Sequence, residues 1–191
     1  DDEKASIQAG RAGEKAGRAL AFDRAASFYR HALALSPLSA NAHAWREALA
    51  TALANAGRPA DAAEAYLRAA VDAENLQRVE LQRRGAEQFL IGGHIDRGLE
   101  LIRTMLATMG MALPRTPRAA LLPLLWWRAR LRWRGLHFVS RDVSDIDPDT
   151  LLRLDTCWSA TTGLLLVDMI SSVSFSARHL LIALDAGEPY R

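Results

Sequence analysis

Small and bulky residues recur in phase along the first half of the chain. Each copy has a small residue, a bulky residue four positions later, and small or apolar residues three and four positions after that. The copies are Ala25/Tyr29/Ala32/Leu33, Ala62/Tyr66/Ala69/Ala70 and, more weakly, Gly98/Ile102/Met105/Leu106. They begin 37 and then 36 residues apart. Positions three and four apart share a helix face, so the pattern predicts helices whose small residues let a neighbouring helix approach closely.

The segments before the second and third copies predict a partner helix for each. Leu49, Ala50 and Leu53 precede a turn at 55–58, and Ala86 and Phe89 precede a turn at 92–94. Pro37 is expected to end the first copy. Before that copy, glycines at 10, 13 and 17 weaken a helix by roughly 1 kcal/mol each relative to alanine, so we expect this first helix to fray.

Over about residues 6–110 these paired segments resemble tetratricopeptide repeats. The chain departs from that family in three ways: its spacing exceeds the usual period of about 34 residues, Arg46 stands where tryptophan is expected with Trp45 beside it, and the third copy lacks the closing proline. The resemblance implies an all-α fold, a right-handed superhelical stack of antiparallel helix pairs. Residues 1–110 would form three such pairs of an α-solenoid.

The second half predicts further helices that are only repeat-like. Thr116 is a plausible N-cap and Pro117 suits the first position of a long helix over about 117–135, with a bend at Pro123. A polar stretch at 141–149 then separates it from a helix pair over about 150–166 and 175–186, which ends at Gly187. We therefore divide the chain into 1–110 and 111–191.

Three segments of this second half are similar to the C-terminal helical region of large bacterial serine/threonine protein kinases that carry an AAA-type ATPase domain. They are LPRTPRAALLPLLWWRARLRWRGL, LLRLDTCWSATTGLLLVD and ARHLLIALDAGEPYR. The resemblance covers most of residues 85–191. It implies a sensor or docking arm, with the catalytic domains of the protein upstream of it. No catalytic residue is carried over, because none of the family's catalytic motifs occurs in the chain. The ends also look like cuts within a longer protein.

The tetratricopeptide resemblance implies a binding groove lined by the outward residues of the first helix in each pair. These candidates are Glu14, Arg18, Glu47, Thr51, Asn55, Glu80, Arg83, Glu87 and Ile91. The competing interpretation is that they are ordinary solvated charges, which is the usual state of exposed charged residues on a helix. Their mixed signs predict no simple ligand.

A basic segment offers a second candidate surface. Between Glu100 and Asp142 there is no acidic residue, and the arginines are interleaved with tryptophans. The candidate patch comprises Arg115, Arg118, Arg128, Arg130, Arg132 and Arg134. Such a composition suits an acidic protein, phosphate backbones or anionic lipid. The competing interpretation is structural: a core helix with one cationic face, whose charge is balanced by the aspartates at 142–155.

Catalytic, metal and cofactor sites are not indicated. The chain lacks the glycine-rich loop, H-R-D and D-F-G motifs of a kinase and lacks a P-loop. Its five histidines are not at helical ligand spacing, and the lone Cys157 suits a buried thiol. A single cysteine fits a reducing compartment, and cytoplasm is the default. No stretch reaches eighteen uncharged apolar residues.

These observations favour a non-catalytic module that binds a protein or peptide, or other domains of its parent chain, without a cofactor. The parent is expected to be a bacterial signalling protein, a serine/threonine kinase with an ATPase domain. Two alternatives remain open. One is contact with nucleic acid or an anionic membrane through residues 115–134, although neither partner is favoured by a net charge of only +2. The other is the repeat arm of an ATPase-type transcriptional regulator.

Overall fold

The fold is all-α. A computed structural model describes residues 2–114, 116–165 and 168–190, and over these residues it contains nine α-helices and no strand. The helices are α1 Asp2–Arg18, α2 Phe22–Leu35, α3 Ala42–Asn55, α4 Pro59–Val71, α5 Asn75–Ile91, α6 Ile95–Thr108, α7 Pro117–Arg134, α8 Pro148–Leu164 and α9 Met169–Ala186. A short 3-10 turn, Val143–Asp145, precedes α8.

The chain divides into two compact units, Asp1–Gly98 and Leu99–Arg191. Their boundary falls inside α6, after Gly98. The repeat pattern of the sequence ends later, at about residue 110. In the first unit, α1 packs on α2, α2 on α3, α3 on α4 and α4 on α5. Neighbours in the sequence are therefore neighbours in space, as expected when short turns connect antiparallel helices.

The core of the first unit is built from alanines with a few large rings between them. Ala26, Ala32, Ala62 and Ala69 are completely buried, and Tyr29, Trp45 and Tyr66 lie among the small residues of this core. The missing side-chain bulk lets the helix backbones approach, and the aromatic rings fill the remaining space. The small residues predicted to mediate helix contacts are thus in the core.

The expectation that the first helix frays is wrong. It is continuous from Asp2 to Arg18, with Gly10 and Gly13 buried. A Cβ atom on Gly10 would lie 2.5 Å from Trp45 Nε1, and one on Gly13 would lie 2.8 Å from the Tyr29 ring. These two glycines are therefore the places where α1 receives aromatic rings from α3 and α2, and this packing offsets their low helix propensity.

In the second unit, α9 packs against both α7 and α8. Leu154, Cys157 and Ala160 of α8 are fully buried, and Phe175 and Leu181 of α9 are nearly so. The predicted long helix is confirmed as α7, whose N-cap Thr116 accepts a hydrogen bond from Ala119 N at 3.3 Å. Pro123 lies inside this helix.

Helix α9 begins at Met169, six residues before the predicted start at 175. Asp168 caps it, because its carboxylate accepts hydrogen bonds from Ser171 N at 3.1 Å and from Ser171 Oγ at 2.6 Å. The serines of its first turns, Ser171, Ser172 and Ser174, are buried, and Ser172 Oγ donates to Thr161 O at 2.8 Å. Capping and tertiary burial thus outweigh the weak propensity of serine for helix interiors.

Candidate binding groove and basic helix

The first unit carries an open hollow of about 440 Å³ formed by α1, α2 and α3. Its lining residues are Gly17, Phe22, Ala25, Tyr29, Ala44, Glu47, Ala48, Thr51, Ala52 and Asn55. Two rows of residues on α3 give the hollow one apolar side and one polar side. Every fourth residue from 44 to 52 is alanine, and the adjacent row carries Glu47, Thr51 and Asn55. Residues four apart lie on one helix face, so a smooth apolar strip runs beside a polar one.

The polar strip is held by hydrogen bonds. Thr51 Oγ1 donates to Glu47 O at 3.0 Å and lies 3.1 Å from Tyr66 OH. The ring of Tyr29 closes another part of the hollow, and burial raises the pKa of its hydroxyl, with the nearby Glu14 carboxylate raising it further. Tyr29 is therefore a neutral phenol at physiological pH, and Glu14 lies close enough to influence it.

A chain of ion pairs runs from α3 along α5. Arg84 Nη1 lies 3.1 Å from Glu47 Oε1, and Arg84 Nε lies 2.8 Å from Glu80 Oε1. Arg83 Nε lies 2.7 Å from Glu80 Oε2, and Arg83 Nη1 lies 3.1 Å from Glu87 Oε2. We call these five residues the ion-pair chain. It combines three carboxylates with two guanidinium groups.

The charges of the ion-pair chain interact strongly enough to alter acidity. Burial alone would raise the pKa of Glu80, but hydrogen bonds and charges from Arg83 and Arg84 outweigh it and hold the pKa below its usual value. The same partnership, against the opposing effect of burial, raises the pKa of Arg84. Glu80 and Arg84 therefore stay ionised at physiological pH, so the ion-pair chain carries fixed charges.

The structure brings together most, but not all, of the groove residues suggested by the sequence. Glu47, Thr51 and Asn55 line the hollow, and Glu80, Arg83 and Glu87 belong to the ion-pair chain. Arg18 and Ile91 are exposed, at the last turns of α1 and α5, and do not line it. Sequence reasoning missed the apolar half of the hollow, namely Gly17, Phe22, Tyr29, Ala44 and Ala48. The alanine repeat at every fourth position of α3 could have indicated it.

The arginines of the basic segment fall into two groups. Arg118, Arg128, Arg130 and Arg132 are exposed on α7. Arg134 instead joins α7 to α9: its Nε lies 2.5 Å from Asp185 Oδ1, and its Nη2 donates to Leu184 O at 2.8 Å. Arg134 is thus a structural residue. Arg115 lies outside the described residues.

The single thiol is poorly placed for chemistry. Cys157 is completely buried, with its Sγ 3.7 Å from the Met111 Sδ atom. Burial raises the pKa of this thiol to about 11, although Arg178 and Arg153 oppose the effect. Because the thiolate is the nucleophile, Cys157 is unreactive at neutral pH. Among the described residues no three histidine, cysteine or acidic side chains are grouped as a metal ion would require.

No protein-family model, curated protein sequence or solved structure matches the chain. Within the described ranges, no helix has both the length and the apolar composition needed to cross a bilayer.

Proposed function

We propose that this chain is a non-catalytic interaction module, a right-handed stack of tetratricopeptide-like helix pairs, that binds an extended segment of a protein partner in the α1–α3 hollow. The observation that carries the proposal is the juxtaposition on α3 of the alanine strip with the row Glu47, Thr51 and Asn55. An apolar floor takes up a side chain, and polar groups beside it fix the orientation of a peptide.

The ion-pair chain supports the repeat interpretation. Glu47 and Arg84 are paired and lie 37 residues apart. That separation is one residue more than the 36 residues between the Ala62 and Gly98 copies, which follow α3 and α5. The two residues therefore lie within one position of equivalence on the first helices of successive pairs. Contacts between equivalent positions of neighbouring units are the interactions from which stacked repeat proteins are built.

The ligand chemistry follows from the lining. A short aliphatic or small aromatic side chain fits the hollow beside Ala44, Ala48 and Ala52, and the hydroxyl of Tyr29 with the amide of Asn55 can bond the peptide backbone. The carboxylate of Glu47 in the lining and that of Glu14 near Tyr29 favour a basic residue adjacent to the inserted side chain.

The biological setting that we propose is regulation of a parent signalling protein in the cytoplasm. The likeness of residues 85–191 to the helical arm of bacterial serine/threonine kinases with an ATPase domain supports this setting. In it, the groove would bind either a separate protein or another domain of the parent chain. Catalytic turnover by the 191-residue chain alone would contradict the non-catalytic assignment.

The groove is tested by filling it. Peptides selected on the wild-type chain from a random library should lose binding to Ala48→Trp, because an indole occupies the hollow. Ala34→Trp is the matched control, since Ala34 is exposed on α2 and does not line the hollow. Fluorescence anisotropy should show at least about a tenfold loss for Ala48→Trp, equivalent to 1.4 kcal/mol, and none for Ala34→Trp. Equal binding by both variants would contradict the groove assignment.

A further inference from the structure

Helix α7 has two opposite apolar faces. The first carries Ala120, Leu124, Trp127 and Leu131, which follow one another at four-, three- and four-residue steps and are buried or half-buried. Because α7 packs against α9, this face is its contact with the rest of the second unit. The positions roughly half a turn away are also apolar, although nothing in the described chain covers them.

We call this second surface the outer face of α7. It consists of Leu122, Leu125, Trp126, Ala129 and Trp133, which at 100° per residue share one side of the helix. The exposed fractions are 76% for Leu122, 63% for Leu125, 64% for Trp126 and 95% for Trp133. Leucine and tryptophan side chains this exposed, grouped on one helix, mark an interaction surface rather than ordinary surface variation.

Arginines flank the outer face on both sides. Arg128 and Arg132, four residues apart, lie along one edge, and Arg130 lies along the other; all three are exposed. None of the ion pairs among the described residues involves them, and no acidic residue occurs between Glu100 and Asp142. The apolar surface continues past the helix end, where Leu136 and Leu125 contribute to the same shallow depression beside Arg128 and Arg132.

The combination of charge and apolar surface selects among occupants. A second copy presenting the same face would place arginines against arginines, which repel. A nucleic acid would satisfy the arginines but leave Leu122 and Leu125 without an apolar contact. An anionic bilayer satisfies both groups, because lipid phosphates lie at the level of the arginines while acyl chains receive the leucines and tryptophans.

We propose that the outer face of α7 docks on an anionic lipid bilayer, with the helix lying parallel to the membrane surface. At 18 residues the helix is about 27 Å long, and its arginine side chains extend from the edges toward the headgroups while Trp126 and Trp133 insert beside them. This is surface attachment, a different activity from peptide binding by the first unit.

The experiment uses the full 191-residue chain and sedimentation with vesicles of phosphatidylcholine containing phosphatidylserine. Binding is expected to acidic vesicles, to weaken with added salt, and to be much poorer on pure phosphatidylcholine. Intrinsic tryptophan emission should shift to shorter wavelength on binding and be quenched by lipids brominated in the acyl chains, because Trp126 and Trp133 enter the apolar layer.

Four double variants separate the contribution of charge from that of insertion. Arg128→Glu with Arg132→Glu should weaken partitioning onto acidic vesicles by at least about 30-fold. Arg24→Glu with Arg30→Glu is the matched control on α2, with the same change in net charge, and should bind nearly as wild type does. Arg128→Lys with Arg132→Lys keeps the charge and should bind. Trp126→Ser with Trp133→Ser should lose both the binding and the acyl-chain quenching.

The outcomes are decisive in either direction. The proposal is overturned by an absence of acidic-vesicle binding, by equal loss in the two arginine-to-glutamate pairs, or by tryptophan variants that bind as wild type does. Preferential binding to duplex DNA would assign the face to nucleic acid. Displacement from vesicles by polyglutamate at matched charge concentration would assign it to an acidic polypeptide. Circular dichroism verifies that all variants retain their helix content.

Discussion

At the scale of single residues, the glycines of α1 show how one residue type serves different ends within one helix. Gly10 and Gly13 give up helix propensity to admit the rings of Trp45 and Tyr29, whereas a Cβ atom on Gly17 would have no neighbour within 4 Å. Only the first two are therefore required by packing. Propensity scales assign the same cost to all three, so the sequence alone could not distinguish them.

This difference gives an opposite expectation for two alanine substitutions. Gly10→Ala should destabilise the chain by about 1–3 kcal/mol, because the new methyl group forces the buried Trp45 ring to move. Gly17→Ala should stabilise it by about 0.5–1 kcal/mol through reduced backbone entropy in the unfolded state. Urea unfolding followed by circular dichroism measures both values. Equal effects of the two substitutions would contradict the packing role of Gly10.

At the scale of helices, the sequence predicted which helices exist better than it predicted where each one begins and ends. The helix over about 117–135 was predicted almost as it occurs, because Thr116, Pro117 and Gly135 mark its ends in sequence. The start of α9 was missed because serines at 171, 172 and 174 have weak helix propensity, and their burial depends on α8. A cap at Asp168 with Ser171 three residues later was the available clue.

The C-terminus of α9 depends on a glycine with two constraints. Gly187 has a φ of +79°. No larger residue fits at this position, because a Cβ atom would collide with Val139 O. Its carbonyl also accepts a hydrogen bond from Arg141 N at 2.8 Å. This residue therefore joins the end of α9 to the extended segment that follows α7.

Gly187→Ala should accordingly destabilise the chain by more than about 2 kcal/mol, combining left-handed strain with a backbone collision. Gly110→Ala is the control, because Gly110 has a similar φ of +67° but open space around its Cβ position. That substitution should cost only about 1–2 kcal/mol. Thermal unfolding of the two variants measures the difference, and a smaller loss for Gly187→Ala than for Gly110→Ala would refute the collision.

The candidate surfaces were less predictable than the helices. The sequence could predict that Glu47, Thr51 and Asn55 lie side by side, because they share one face of α3, but the pairing of Glu47 with Arg84 depends on how two helices pack. The outer face of α7 was harder still. Apolar residues at helical spacing look the same whether they are buried or exposed, so the sequence favoured a core helix with one cationic face.

At the scale of the whole molecule, the two compact units have separate cores. Alanines with Tyr29, Trp45 and Tyr66 form one, and Leu154, Cys157 and Phe175 belong to the other. Peptide binding is proposed for the first unit and membrane attachment for the second. Each activity thus depends on residues of a single unit, so variants of one surface serve as controls for the other.

Separate cores also predict where a destabilising substitution acts. Gly10→Ala should accelerate amide hydrogen exchange first in α1, α2 and α3, because local opening follows the loss of local packing. Gly187→Ala should do so first in α9 and in the segment 139–141 that it contacts. Mass spectrometry of peptic fragments locates these changes. Uniform acceleration over all described helices by either variant would show instead that the chain opens as one cooperative unit.

The contacts of Arg134 fasten the end of α7 to α9. Its guanidinium group holds the last turn of α7 to Asp185 and Leu184 near the end of α9. Helix α7 is therefore joined to α9 by an ion pair as well as by helix packing. If α7 attaches to a membrane, the orientation of α7 on that membrane would consequently fix the orientation of α9 as well.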